Sequence, residues 1–394
     1  MKKKIKYLIS GVVSMLFLGL YLAWSVFVDP LQQFLQCSKG EISSVYTVFL
    51  ACFCFGALFC GWYKGGQRPK SALAISAALV CMGLLGSSFA GSVGMLTLTY
   101  GILYGFGVGL GYNTVISAVV PWFPDHSGLA GGLLFMGVGM SAMIFAVPLS
   151  RLIYTFGSPF AFRLLSLCCF FAILISILIL QPACEVCENI TQSPGMNAIQ
   201  MLKTRQFQTY FLWVIMILSG GMIVISDSAP LALRAGLTPA AAALGTSIFS
   251  IFNAASRLIM GRLYDKMGAP LSMVTLFSTF TASTLLLLLI QTKGISSLLY
   301  PALALMGFSY GGVPSVSSPF TYDYFGARNF AQNFSVIGLY TLAGSILGPF
   351  CFGQIFERAQ SYPVSYLLLA VFAGLSLIML LCFWPVRNAN IIEK

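Results

Sequence analysis

Residues 7–28 read YLISGVVSMLFLGLYLAWSVFV, twenty-two positions without one charged side chain. As an α-helix rising 1.5 Å per residue, such a run is about 33 Å long, enough to cross the ~30 Å of hydrocarbon in a bilayer. Met1-Lys2-Lys3-Lys4-Ile5-Lys6 precedes it and Asp29-Pro30-Leu31 follows. A basic start before an apolar run resembles a secretory signal, but this run is too long for a signal core and further runs follow it, so it is read as the first membrane span.

The same pattern recurs at 42–63, 71–92, 95–120, 128–150, 163–181, 207–229, 240–262, 270–291, 296–319, 330–352 and 363–386, which predicts an all-α polytopic membrane protein of twelve spans. Composition agrees: 58% of the 394 residues are hydrophobic and 8% charged, against about 25% charged in soluble domains. A soluble globular fold is excluded.

The longest polar connection, 182–206, separates six spans from six, giving domains 1–181 and 207–394. The two halves repeat at a spacing near 200. Pro30-Leu31 returns as Pro230-Leu231, Gly61 as Gly261, and Pro148 as Pro349. In the sequence reading each Pro-Leu pair lies just after its span. An even number of spans per half makes the halves parallel, and a cavity between two such bundles suits a carrier working by alternating access.

The net charge of +11 is dispersed over short loops and forms no basic face, which argues against nucleic acid as a partner. Its placement reports topology instead. With the N-terminus inside, fourteen Lys and Arg fall on the cytoplasmic side and six outside, Arg257 being the one left within a span. That bias predicts a cell-membrane protein with both termini cytoplasmic. A monomer in the lipid bilayer is expected.

Most of the eleven cysteines lie in apolar runs, as Cys52, Cys54, Cys60, Cys168 and Cys169 do, and act there as small hydrophobes. Cys184-Glu185-Val186-Cys187 is a lone CxxC, and the single histidine, His126, lies in another loop, so no metal site is expected. Walker A, HExxH and GxSxG patterns are absent. The reading is of a protein that is not an enzyme and has no cofactor.

Arg257 precedes Asp265, at the end of span 8, by eight residues and therefore lies about 12 Å deeper, near the midplane. A guanidinium there costs at least ~2.5–3.5 kcal/mol, so it needs an aqueous cavity or a fixed partner. Its planar fork fits a carboxylate, and the competing reading is a structural ion pair. Asp227 lies near the external end of span 7, roughly 10 Å away in depth, which argues against that pairing. Asp227 itself is read as an interfacial charge or a proton carrier. Asn253, one turn before Arg257, orients the guanidinium or touches the ligand, or else bonds another helix. Tyr21, Trp24, Tyr104, Tyr310 and Tyr340 are candidates for an aromatic lining around a small ligand, with ordinary packing as the other reading. The glycines of spans 4 and 5 serve close helix packing.

Gly261-Arg262-Leu263-Tyr264-Asp265-Lys266-Met267-Gly268 resembles the loop signature of the major facilitator superfamily, in which the acid can cap a neighbouring helix and the base can hold the cytoplasmic gate. The first-half copy, Gly61 to Arg68, lacks the acid. More narrowly, the chain resembles the oxalate/formate antiporter family, near the monocarboxylate transporters. The residues that carry this are Tyr21 to Phe27 with Pro30-Leu31, and Trp122-Phe123-Pro124-Asp125-His126-Ser127-Gly128-Leu129-Ala130. Asn253 to Arg257 leading into Gly261, and Asn333 through Gly348-Pro349, add to them.

The resemblance implies two pseudo-symmetric six-helix bundles and the exchange or proton-linked movement of a small organic anion held by Arg257. It implies gate roles for Gly261, Asp265, Lys266, Gly268 and Asp125. Two departures narrow the expectation. Residues 330–352 lack the second base that oxalate carriers of the family have in span 11, with Ala343 standing near its place, so a monoanion such as formate, lactate or pyruvate is expected. Asn253 stands where animal monocarboxylate transporters have an acid. The competing function is export of a bulkier or neutral compound, with Arg257 as a gate residue.

Overall fold

The computed structural model describes residues 2–181, 195–234 and 236–391; the CxxC at 184–187 lies outside them. Among the described residues there are helices and no strands. Among the described residues, nine helices are long and apolar enough to cross a membrane. Two of them are double. Ser127–Ile179 runs for 53 residues and breaks at Gly157, and Pro239–Lys293 runs for 55 and breaks at Gly268. Dividing these and adding Leu299–Phe325 gives twelve crossing segments among the described residues. They correspond in order to the twelve predicted spans.

The breaks have a common cause. Gly157 has φ 82° and Gly268 φ 74°, backbone that an L side chain resists. Pro159 and Pro270 stand two residues later, in the first turn of the next helix, where a missing N–H is harmless. Elsewhere the starts are capped. Ser38 Oγ accepts the Glu41 N–H at 3.2 Å while Glu41 Oε2 accepts the Ser38 N–H at 2.8 Å, a complete capping box for span 2, Lys39–Tyr63.

Pro30 and Pro230 come after the apolar stretches Lys3–Ala23 and Arg205–Ser228, as expected, but they do not end their helices, lying inside Ser25–Leu35 and Arg205–Arg234. Each removes one backbone hydrogen bond without ending the helix, which proline inside a membrane span allows. Span 1 is also irregular at Gly19–Ala23, a 3-10 turn, and span 4 at Thr97–Tyr104, which is wound as a π-helix.

The chain forms two compact units. Unit 1 comprises Met1–Ala198 and Thr321–Gly338, and unit 2 comprises Ile199–Phe320 and Leu339–Lys394. Within unit 1, Asn113 Nδ2 donates to the carbonyls of Ala57 at 2.9 Å and Ala331 at 3.1 Å, fixing the 321–338 segment to spans 2 and 4. A Cβ on Gly61 would come within 2.7 Å of Gln332 Cα, so glycine lets that segment approach.

The internal repeat is visible in the packing. In unit 1, Gly105 and Gly109 of span 4 lie against the carbonyls of Phe49 and Phe53 in span 2. In unit 2, Gly307 and Gly311 of span 10 lie against the carbonyls of Phe249 and Asn253 in span 8. The offsets, 202 along one helix and 200 along the other, place the same close crossing in both units. Small residues at such a crossing let backbones touch, the form of packing available in lipid.

Candidate functional site

Span 8 brings Asn253 and Arg257 to the same face one helical turn apart. Arg257 Nε donates to Asn253 Oδ1 at 3.2 Å. Because Gly311 has no side chain, span 10 seats directly on the Asn253 backbone, and the next residue back, Tyr310, lies within electrostatic reach of Arg257. Tyr310 packs over Gly221 of span 7, with its ring 6.1 Å from Phe249. Unit 2 thus collects an arginine, an amide and a phenol from two crossing helices. Arg257 is 8% exposed.

The second buried charge of unit 2 is Asp227, also 8% exposed. Its carboxylate is gripped from two directions. Arg234 Nη1 donates to Oδ1 at 3.1 Å and Nη2 to Oδ2, and Tyr366 Oη, from span 12 (Tyr362–Ile391), donates to Oδ2 at 2.7 Å. The Arg234 guanidinium lies 3.5 Å over the Tyr362 ring, a cation–π contact. Asp227 is therefore an ion-paired residue joining the end of span 7 to the start of span 12. Sequence reasoning missed Arg234 and Tyr366. The signal available was the seven-residue step from Asp227 to Arg234, two turns along one helix, hidden by placing the end of span 7 before Pro230.

The aromatic candidates divide between the units. In unit 1, Tyr21 lies 5.2 Å from Phe49, Trp24 lies 4.3 Å from Tyr100, and Tyr104 lies 4.8 Å from Tyr100, measured between ring centres. Trp24 and Tyr104 are buried, and the Trp24 Nε1 finds no acceptor among the described residues. An indole N–H in that position is an unused donor inside an aromatic cluster. In unit 2, Tyr340 is buried at the start of the helix Tyr340–Ala359.

Of the candidate gate residues, Gly261 is buried, Asp265 half-buried and Lys266 exposed, all before the break at Gly268. Gly268 has a structural task of its own, since its positive φ separates spans 8 and 9. Asp125 is exposed in the short 3-10 turn Pro124–His126. Among the described residues no cluster of three or more His, Cys, Asp or Glu could hold a metal ion.

Comparison with known proteins gives one family. The sequence profile of the Major Facilitator Superfamily matches residues 9–238 and 212–393. The oxalate:formate antiporter of Oxalobacter formigenes is 25% identical over 348 residues, 87% of this chain and 82% of that protein. Monocarboxylate transporter 13 of Bos taurus is 22% identical over 91% of this chain and 84% of its own length. Among solved structures, the proton:xylose symporter XylE bound to 6-bromo-6-deoxy-D-glucose superposes with a TM-score of 0.73 at 14% identity, covering 98% of this chain and 96% of that one. The E. coli fucose:proton symporter gives 0.66, also at 14% identity. Likeness at that identity speaks for the fold alone.

Proposed function

Because the chain belongs to the Major Facilitator Superfamily and is a membrane transporter, we propose that its substrate is a small monocarboxylate, such as formate, lactate or pyruvate, carried by alternating access. The observation that carries this reading is Arg257, a buried guanidinium oriented by Asn253 with Tyr310 beside it. The planar fork of arginine pairs with the two oxygens of a carboxylate, and charge-assisted bonds of this kind are the strong ones. The relatives named for oxalate, formate and monocarboxylates support the same class of solute.

The charge argument favours one negative charge. Residues 330–352 contain no base, so the second carboxylate of a dianion would lack a cation from span 11. Leaving it uncompensated in a poorly solvated cavity costs several kcal/mol.

The test is uptake of labelled formate, lactate and oxalate into liposomes holding wild type or Arg257→Gln, with internal anion and pH gradient varied separately. Monoanion uptake lost in a folded Arg257→Gln protein supports the anchor, and the gradient dependence distinguishes exchange from proton symport. Efficient oxalate uptake overturns the single-charge argument. Carboxylate-insensitive transport of neutral or bulky compounds overturns the substrate class and turns the reading to an exporter in which Arg257 is a gate residue.

A further inference from the structure

The internal repeat supplies a comparison within the molecule, and one joint differs in kind between the two units. At offsets of 200 to 204, Phe27 corresponds to Asp227, Pro30 to Pro230, Phe34 to Arg234, Pro159 to Pro363 and Phe162 to Tyr366. In unit 1, Phe27 and Phe162 stack with ring centres 4.5 Å apart and planes 7° from parallel, and both are buried. In unit 2 the same two places hold Asp227 and Tyr366, with Arg234 closing on the carboxylate and resting on Tyr362. An apolar stack has become an ionic joint.

We propose that this joint is a clasp between the ends of spans 7 and 12 that opens and closes during transport, while its apolar counterpart in unit 1 stays shut. Three features of unit 2 permit the motion. Pro230 lies between Asp227 and Arg234 and removes a helical hydrogen bond just where the last turn begins. Gly236, on the far side of Arg234, has φ 77° and nothing within 4 Å of the place a Cβ would take. The Arg234 side chain is 28% exposed, so its guanidinium has water at hand when it leaves the carboxylate. Separating the buried rings of Phe27 and Phe162 would instead expose apolar surface on both sides. The polar partners also specify one closed geometry, since the fork of Arg234 and the hydroxyl of Tyr366 converge on the same carboxylate.

The clasp does not depend on which solute is carried, and its test is independent of the substrate. Hydrogen exchange at the backbone amides of 231–234 is followed by mass spectrometry in wild type, in Asp227→Asn, and in the triple variant Asp227→Phe/Arg234→Phe/Tyr366→Phe, which copies the unit 1 joint. Asp227→Asn is expected to speed exchange on the order of tenfold, and the triple variant to slow it by a similar factor. Replacing an ion pair by packed apolar groups is often neutral or stabilising, so the triple variant is expected to melt no lower than wild type. Its turnover of whichever solute wild type carries is expected to fall on the order of tenfold at unchanged KM. Equal exchange in wild type and Asp227→Asn overturns the proposal, as does wild-type turnover in a folded triple variant. A triple variant that does not fold leaves the decision to Asp227→Asn. Failure of formate, lactate and oxalate to enter wild-type liposomes counts against the carboxylate reading alone.

Discussion

Arg257 engages Asn253 through Nε, and a bond from a side chain one turn away on the same helix fixes the rotation of the guanidinium plane. Two expectations follow. Arg257→Lys keeps the charge but loses the planar fork, so KM is expected to rise roughly tenfold, the equivalent of about 1.4 kcal/mol, with kcat less affected. Asn253→Asp puts a carboxylate beside the arginine, where it competes with an incoming anion. At neutral pH it is expected to raise KM by an amount on the order of tenfold, read by the same uptake assay. Arg257 was legible in the sequence because an arginine eight residues before Asp265, with no other charge from 240 to 261, has few explanations. The partners of Asp227 were not. Ending span 7 at residue 229 placed Arg234 in a loop, whereas the helix runs through Pro230 to Arg234.

At the scale of elements, the glycines sort into those that touch a backbone and those that do not. A Cβ on Gly311 would run into the carbonyl of Asn253, whereas Gly353 has nothing within 4 Å. Gly311→Ala is therefore expected to lower stability by about 1–3 kcal/mol, and to disturb Asn253 and the guanidinium it orients. Gly353→Ala, in the interior of the helix Tyr340–Ala359, is expected to be neutral or to add about 0.5–1 kcal/mol. Thermal unfolding of the two purified variants checks both. Gly268→Ala has room for its methyl but not the right φ, and is expected to cost about 1–2 kcal/mol. The breaks at Gly157 and Gly268 fall in the gaps between the predicted spans, although Gly-x-Pro was not read as their mark. The 3-10 turn at Gly19–Ala23 and the π-helical stretch at Thr97–Tyr104 were not legible in the sequence, because their residues fit an ordinary apolar helix and only packing selects the winding.

At the scale of the whole molecule, the asymmetry of fourteen cytoplasmic to six external bases predicts that both termini face the cytoplasm. Reporter domains fused to each end, active on one side of the membrane only, are expected to place both ends inside; both outside would reverse the assignment, and a split result would contradict an even number of spans. The repeat at about 200 residues was legible from Pro30 and Pro230, Gly61 and Gly261, and Pro148 and Pro349 taken together, and the structure deepens it into matched helix crossings at Gly109 and Gly311. Where the units diverge is where sequence patterns carry least: Ala57 and Phe53 in unit 1 stand in the places of Arg257 and Asn253. One copy of a common scaffold carries the buried arginine with its amide, and the other carries a cluster of rings around Phe49, Phe53 and Tyr100.

The membership of residues 321–338 in unit 1 bears on any attempt to reassemble the protein from fragments. A cut in the polar connection after residue 181 yields two polypeptides of six spans each, the natural choice for complementation. Yet the second polypeptide would leave the ribosome carrying Phe330, Asn333 and Phe334, side chains that are buried within unit 1. Until the first polypeptide arrives with Asn113 and Gly61, that stretch has no seat, and chaperones and proteases would meet it first. Recombined halves should accordingly be recovered best when they are translated together.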